Sequence, residues 1–340
     1  MIGFWFSTEF SWEYSLAVVI LFMVVGGALA LPGLQNEGKG SRHDYVGTVL
    51  LTFIIVDLMM FTQLVNHQFV LLSVESLLML AIAMVAASIL AVIWKDSEDP
   101  IIPRGMTGSK GASMLCMFLA GFCGLGMVQF LLVFMLVGVN VDIYVASGMF
   151  LCLLAGGGLT SMIGLKKVNE TGLRPWVIIG PILVAIGFAM SSQLLVKGLP
   201  AIGLCMFVLG AGLGCIVTEI LCSIQGTTPR SKMGSVTSIT MSARFIGILL
   251  GVAVYTTLIA NRLEAELEST LGDHGVLIDP GWLIDNYMQF FDTVIGLLES
   301  SIEYCCAVAA ALSLVILVVA YRFVDRSDVD APEFIEDGEE

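Results

Sequence analysis

The sequence predicts an all-α polytopic membrane protein with about nine transmembrane helices, and three observations predict it. Hydrophobic residues make up 57% of the 340 and charged residues 13%, about half the charge expected of a soluble domain. Nine segments are mostly apolar over about 20 residues, the length that crosses a hydrocarbon core. None alternates apolar and polar positions as a barrel strand would, and lipid offers no partner to unpaired backbone groups, so each is expected to be helical.

The expected spans are roughly 12–32, 45–65, 74–95, 111–138, 142–164, 175–195, 199–222, 233–260 and 302–323. Nothing basic precedes the first, so "GFWFSTEFSWEYSLAVVI" at 3–20 does not read as a secretory signal. Its Trp5, Trp12 and Tyr14 suit a membrane interface. Orientation follows from the basic residues of the loops. Lys39, Arg42, Lys95, Arg104, Lys110, Lys166, Lys167, Arg174, Arg230, Lys232, Arg322 and Arg326 fall on one side. Only Lys197 and Arg262 fall on the other, which places the first set and the C-terminus in the cytoplasm and the N-terminus outside.

Two connections stand out. The cytoplasmic stretch "KDSEDPIIPRGMTGSKGA" is rich in proline and glycine and reads as a linker dividing three spans from six. The external segment 261–301 carries Trp282, Leu283, Tyr287, Phe290 and Phe291 at helical spacing, which predicts an amphipathic helix lying on the membrane surface. Such a helix serves as a plain interfacial element or as a portal or partner surface.

The net charge of −14 is concentrated in 264–303 and in the tail "SDVDAPEFIEDGEE", a distribution that argues against a nucleic-acid partner. All eight cysteines lie in or beside apolar runs, where free thiols act as small hydrophobes. No CxxC occurs and the three histidines are scattered, so no metal site and no cofactor is expected. No catalytic triad or nucleotide loop is present, which argues against an enzyme.

Ionisable residues within spans are the strongest functional pointers, because each costs about 2.5–3.5 kcal/mol at a helix centre. Three qualify as candidates for a substrate or proton pathway: Asp57, Glu219 and Arg244. The spans holding Glu219 and Arg244 are joined by a hairpin, and the two residues are expected about 10 Å apart along the axis at about 1.5 Å per residue. They could form a structural ion pair, snorkel separately, or take part in gating and binding. Asp57 has no evident partner. An acid in apolar surroundings can exchange protons as a coupling residue must, or face a wet cavity or neighbouring hydroxyls.

Glycines supply a second pattern. "GAGLG" contains Gly210 and Gly214, "GILLG" contains Gly247 and Gly251, and "AGGGLTSMIG" at 155–164 adds a third small-residue stretch. Such faces let helices approach closely, for static packing or for rocking motions. Met114, Met117, Phe118, Met127 and Phe130 could line an adaptable apolar cavity, or equally face lipid or core.

With these residues the chain resembles the major facilitator superfamily, specifically the fourteen-span drug/proton antiporter branch (EmrB/QacA-like). "MIGFWFSTEFSWEYSL" is similar to the end of that family's fifth span and the start of its sixth, with Phe4 in place of a glycine and Trp12-Glu13-Tyr14 where Trp-Arg-Trp is usual. "DYVGTVLLTFIIVDLMM" resembles the start of the seventh span, and "DPIIP" the entry to the second bundle. "GLKKVNETGLRP" resembles a cytoplasmic gate loop, contributing Lys166, Lys167 and Arg174, with Lys167-Val168-Asn169 replacing the usual Asp-Arg. The stretch from Gly210 to Val254 resembles the twelfth and thirteenth spans, with Gly234, Arg244, Gly247 and Gly251 at family-like positions.

The resemblance implies a partial major-facilitator fold covering spans six to fourteen. Residues 1–33 would be the last span of the N-terminal bundle, 34–110 two linker spans, 111–326 a C-terminal six-helix bundle with its external loop at 261–301, and 327–340 an acidic tail. It implies proton-coupled export of amphipathic compounds by alternating access, with the lipid bilayer, a small-molecule substrate and protons as partners. An N-terminal half or a periplasmic adaptor would be further partners. The alternative is a non-transporting fragment or a subunit that needs a separately encoded half.

Overall fold

The structure, a computed structural model, describes residues 12–30, 44–64, 73–96, 108–138, 141–194, 198–226, 228, 232–271 and 287–323. They form helices α1 (Trp12–Ala30), α2 (Tyr45–Leu64), α3 (Val74–Asp96) and α4 (Ser109–Leu119). A π-helical segment, Ala120–Leu125, joins α4 without interruption to α5 (Gly126–Val137). The order continues through α6 (Ile143–Thr171), α7 (Leu173–Leu194), α8 (Leu199–Gly226), α9 (Met233–Leu271) and α10 (Tyr287–Phe323). Counting α4 to α5 as one rod, 8 of these helices are long and apolar enough to cross a membrane; the apolar stretch of α1, Ala17–Leu29, is shorter. The chain is a multi-pass membrane protein.

Several helices outrun their expected spans, and the sequence shows why. Helix α6 continues through Lys166 and Lys167 to Thr171, stopping where Gly172 adopts φ 86°, a left-handed conformation that glycine takes without steric cost. The residues expected in a gate loop are thus the last turns of a helix, and Arg174 opens the next one. Helix α9 is 39 residues long, about 58 Å at 1.5 Å per residue and nearly twice the hydrocarbon thickness. Its extension "LEAELESTL" holds strong helix formers with no glycine or proline, so nothing halts the helix before Gly272.

The expected external loop 261–301 is therefore mostly helix. Tyr287, Phe290 and Phe291 belong to the first turns of α10, continuous with the span, instead of forming a separate surface helix. Trp282 and Leu283 lie outside the described residues, as do Trp5, the "DPIIP" linker and the acidic tail. The extensions of α9 and α10 are pinned together. Arg262 Nε bonds Glu266 Oε1 at 2.9 Å, Ser300 Oγ donates to Glu266 Oε2 at 2.7 Å, and the Arg262 guanidinium lies 4.7 Å from the Tyr304 ring centre.

Helix α8 packs along α6 and α7, α10 packs on α7, and α9 packs on the π-helical segment and α4. Their shared core includes Cys116, Met117, Met127, Leu131, Leu209 and Ile216, each with no more than 1% of its surface exposed. The pair α2–α3 is joined to this body chiefly through α9, where Ile54, Leu58, Ala83 and Leu90 meet Ile246, Leu249 and Leu250. Helix α1 is exposed from Val19 to Leu29, including Phe22, Met23 and Leu29.

Candidate functional site

Two helix contacts run on glycine. Along α8, a β-carbon on Gly210 would overlap the Leu153 carbonyl, and one on Gly214 would lie 2.5 Å from both the Gly157 carbonyl oxygen and Thr160 Oγ1. Gly212 faces the other way, where a β-carbon would stand 2.7 Å from the Gly180 oxygen on α7. Along α9, Gly247 and Gly251 lie against the backbone of Phe118 and Phe122, and Gly121 of the π-helical segment lies against the Arg244 carbonyl. Such approaches maximise dispersion contact, which drives helix association where lipid removes the hydrophobic advantage.

The α6–α8 contact also carries polar groups. Thr160 Oγ1 reaches the Ala211 carbonyl across the interface at 3.0 Å and shares its proton with the Gly156 and Gly157 carbonyls of its own helix. One step further, Ser161 and Thr218 join their hydroxyls at 2.7 Å. Beyond them stands Glu219. It is completely buried, and neither carboxylate oxygen has a hydrogen-bond partner. Its carboxylate occupies the space that a β-carbon on Gly164 would need. A buried carboxylate left charged without a partner costs several kcal/mol, whereas the neutral acid costs far less.

The ion pair weighed for Glu219 and Arg244 is not formed. Helix α8 gives its two glycine faces to α6 and α7, so α9 turns to the π-helical segment and touches α8 only lightly. A hairpin connection brought the two helices to the same end of the bundle without packing them along their length. Arg244 is half-buried, its Nε has no partner, and its guanidinium sits 5.3 Å from the Phe245 ring centre. Asp57 lies on α2 beside the face that meets α3 and α9, with Oδ2 buried and without a hydrogen bond. The three ionisable candidates thus occupy separate places.

Lys166 and Lys167 are exposed at the end of α6. Arg174 ties α7 to the end of α10, donating from Nη2 to the Tyr321 carbonyl at 3.0 Å with its guanidinium 5.0 Å from the Tyr321 ring. Met117 and Met127 are fully buried in the core, while Met114, Phe118 and Phe130 are half-buried. All eight cysteines are free. Sequence reasoning passed over Tyr255, which is completely buried with an unpartnered hydroxyl. Its ring centre lies 6.1 Å from Phe122 and 6.4 Å from Phe130. Its one signal is a tyrosine four residues after Gly251, in the middle of an apolar run.

No family model matches the chain. An uncharacterized MFS-type transporter of Mycobacterium tuberculosis is 25% identical over 343 residues, covering 97% of this chain and 50% of the relative. The chain is similar to MFS-type transporters along nearly its whole length. The puromycin resistance protein of Streptomyces alboniger is 24% identical over 96% of the chain and 63% of its own length. The multidrug transporter MdtP of Bacillus subtilis is 22% identical over 74% of the chain and 48% of its own length. The chain thus spans about half the length of the curated relatives it matches. Among solved structures, a bacterial homolog to the human lysosomal transporter Spinster, inward-facing and occupied, superposes with a TM-score of 0.52. It is 11% identical and covers 92% of this chain and 70% of that one, a likeness of fold.

Proposed function

We propose that this chain forms the C-terminal part of a transporter of the drug/proton antiporter branch, exporting amphipathic small molecules in exchange for protons by alternating access. The observation that carries the reading is the match along 97% of the chain to an MFS-type transporter. Two further relatives bear names recording multidrug transport and puromycin resistance, which supports the substrate class. In this reading α1 is the last span of a first bundle, α2–α3 are linker spans, and α4–α10 with residues up to 326 form the second bundle. The acidic tail 327–340 and the end bearing Lys166, Lys167 and Arg174 face the cytoplasm.

Alternating access needs two arrangements of helices that differ little in free energy and that substrate and proton favour unequally. Close glycine contacts suit this, since whole helices can shift as rigid bodies without large side chains unlocking. Because the relatives are about twice as long, the activity belongs to an assembly that includes an N-terminal half, on the same polypeptide or on a separate one.

The test is accumulation of a fluorescent cationic dye and of puromycin in cells lacking their own efflux pumps, with this chain expressed alone and beside an N-terminal half. Reduced accumulation that an uncoupler abolishes is expected when both parts are present. Accumulation equal to that of empty cells in both arrangements overturns the proposal. Efflux by this chain alone would remove the need for a second half.

A further inference from the structure

We propose that Glu219, seated between α6 and α8, is a proton-binding site; this deepens the proton-coupled reading above and rests on it. The side chain is completely buried and both of its oxygens are unpartnered. The space it fills exists because residue 164 is glycine: a β-carbon there would overlap the carboxylate. The site is therefore shaped around an acid that no cation among the described residues hydrogen-bonds.

No ionisable group on the helices packed against α8 hydrogen-bonds either oxygen. On α8 itself the Cys215 and Cys222 thiols stand one turn to either side. On α6, Lys166 and Lys167 are exposed; on α7, Arg174 is held by the Tyr321 carbonyl; on α9, Arg244 lies over Phe245. On α4 and the π-helical segment, the titratable residues are Lys110, Cys116 and Cys123, none of them bonded to Glu219.

A metal cation would need a shell of several oxygens. Ser161 and Thr218 are already joined to each other, and among the described residues no group of His, Cys, Asp and Glu could hold a metal ion. A proton needs the carboxylate alone. Binding it converts a buried charge into a neutral acid, and releasing it requires the α6–α8 contact to open or a cationic group to arrive. Protonation of Glu219 therefore favours the closed contact seen here, which is how a proton biases a two-state packing.

The experiment is infrared difference spectroscopy of the full chain reconstituted in liposomes, as the pH is stepped from about 5 to 9, the range that brackets a buried carboxyl. A protonated-carboxyl C=O band that fades on deprotonation and is missing in Glu219→Gln is expected. Identical spectra for the native chain and Glu219→Gln overturn the site. Gly164→Ala provides a second reading, because its methyl group displaces the carboxyl without changing any titratable residue. It should change the proton affinity read from the band at least threefold, and an unchanged affinity overturns the site as surely. Replacing potassium by sodium at fixed pH should leave the band intact; its loss on sodium addition would make this a metal-cation site instead. Efflux is read separately. A band without export overturns the transport reading alone, while export without a Glu219-dependent band overturns this site alone.

Discussion

The contacts of α8 with α6 and of α9 with the π-helical segment use the same spacing device to different ends. In both, paired glycines four residues apart let backbone touch backbone. Against α8, however, α6 presents Thr160 and Ser161, so the seam is stitched by hydroxyls and ends in a buried acid. Against α9, the π-helical segment presents glycine, alanine and phenylalanine, so the seam is dry, and the wider turn accommodates the close approach of Arg244 and Gly251. Glycine spacing fixes how near two helices come, and the residues beside the glycines decide what the contact can do.

The largest effect that would break this comparison comes from Gly210→Leu. Its branched side chain would have to occupy the space of the Leu153 backbone, so a loss of about 3 kcal/mol or more is expected. Size-exclusion profiles in detergent should show little monodisperse protein, and a native-like melting curve would mean that the α6–α8 contact yields. Next come Gly247→Ala and Gly251→Ala, each expected to cost about 1–3 kcal/mol because a phenylalanine backbone segment must move. Gly158→Ala is their control: nothing lies within 4 Å of its would-be β-carbon, so it should be neutral or stabilise by about 0.5–1 kcal/mol. Thermal melting of the three variants side by side decides whether contact or mere helix propensity is being read.

A smaller effect sharpens the polar half of the comparison. A double-mutant cycle of Ser161→Ala and Thr218→Val should give a coupling of about 0.6 kcal/mol, the usual worth of a hydrogen bond between membrane helices. Zero coupling would show that the hydroxyls do not hold the seam. The smallest effect is expected of Glu219→Gln, which removes no charge partner and keeps the shape, so its melting temperature should match the native chain. Breaking a buried ion pair costs about 3–5 kcal/mol, so a drop of that size would reveal a partner for Glu219 in the folded protein.

Most spans were legible because lipid imposes one rule on every crossing segment, and apolar length alone records it. The glycine pairs were legible as close-contact faces for the same reason. Their partners were not, since Gly210 and Gly212 sit two residues apart on α8 and point to different helices, α6 and α7. Of the alternatives open for Glu219 and Arg244, the ion pair is not realised, because adjacency along the chain does not bring two side chains onto one contact. The ends of α6, α9 and α10 were misjudged because helical propensity continues past the apolar run. Tyr255 escaped because its burial depends on Phe122 and Phe130, which lie more than a hundred residues earlier.

The sequence by itself determined that this chain is helical and crosses the membrane many times, because backbone hydrogen bonding in lipid is a local demand that each segment meets alone. It also marked Asp57, Glu219 and Arg244, because ionisable groups in apolar runs are costly wherever they end up. Only the tertiary structure decided that Glu219 is sealed without a cation while Arg244 stands against a separate contact. Partnership between side chains on different helices depends on which faces meet, and that is a property of the whole packing, which no single segment encodes.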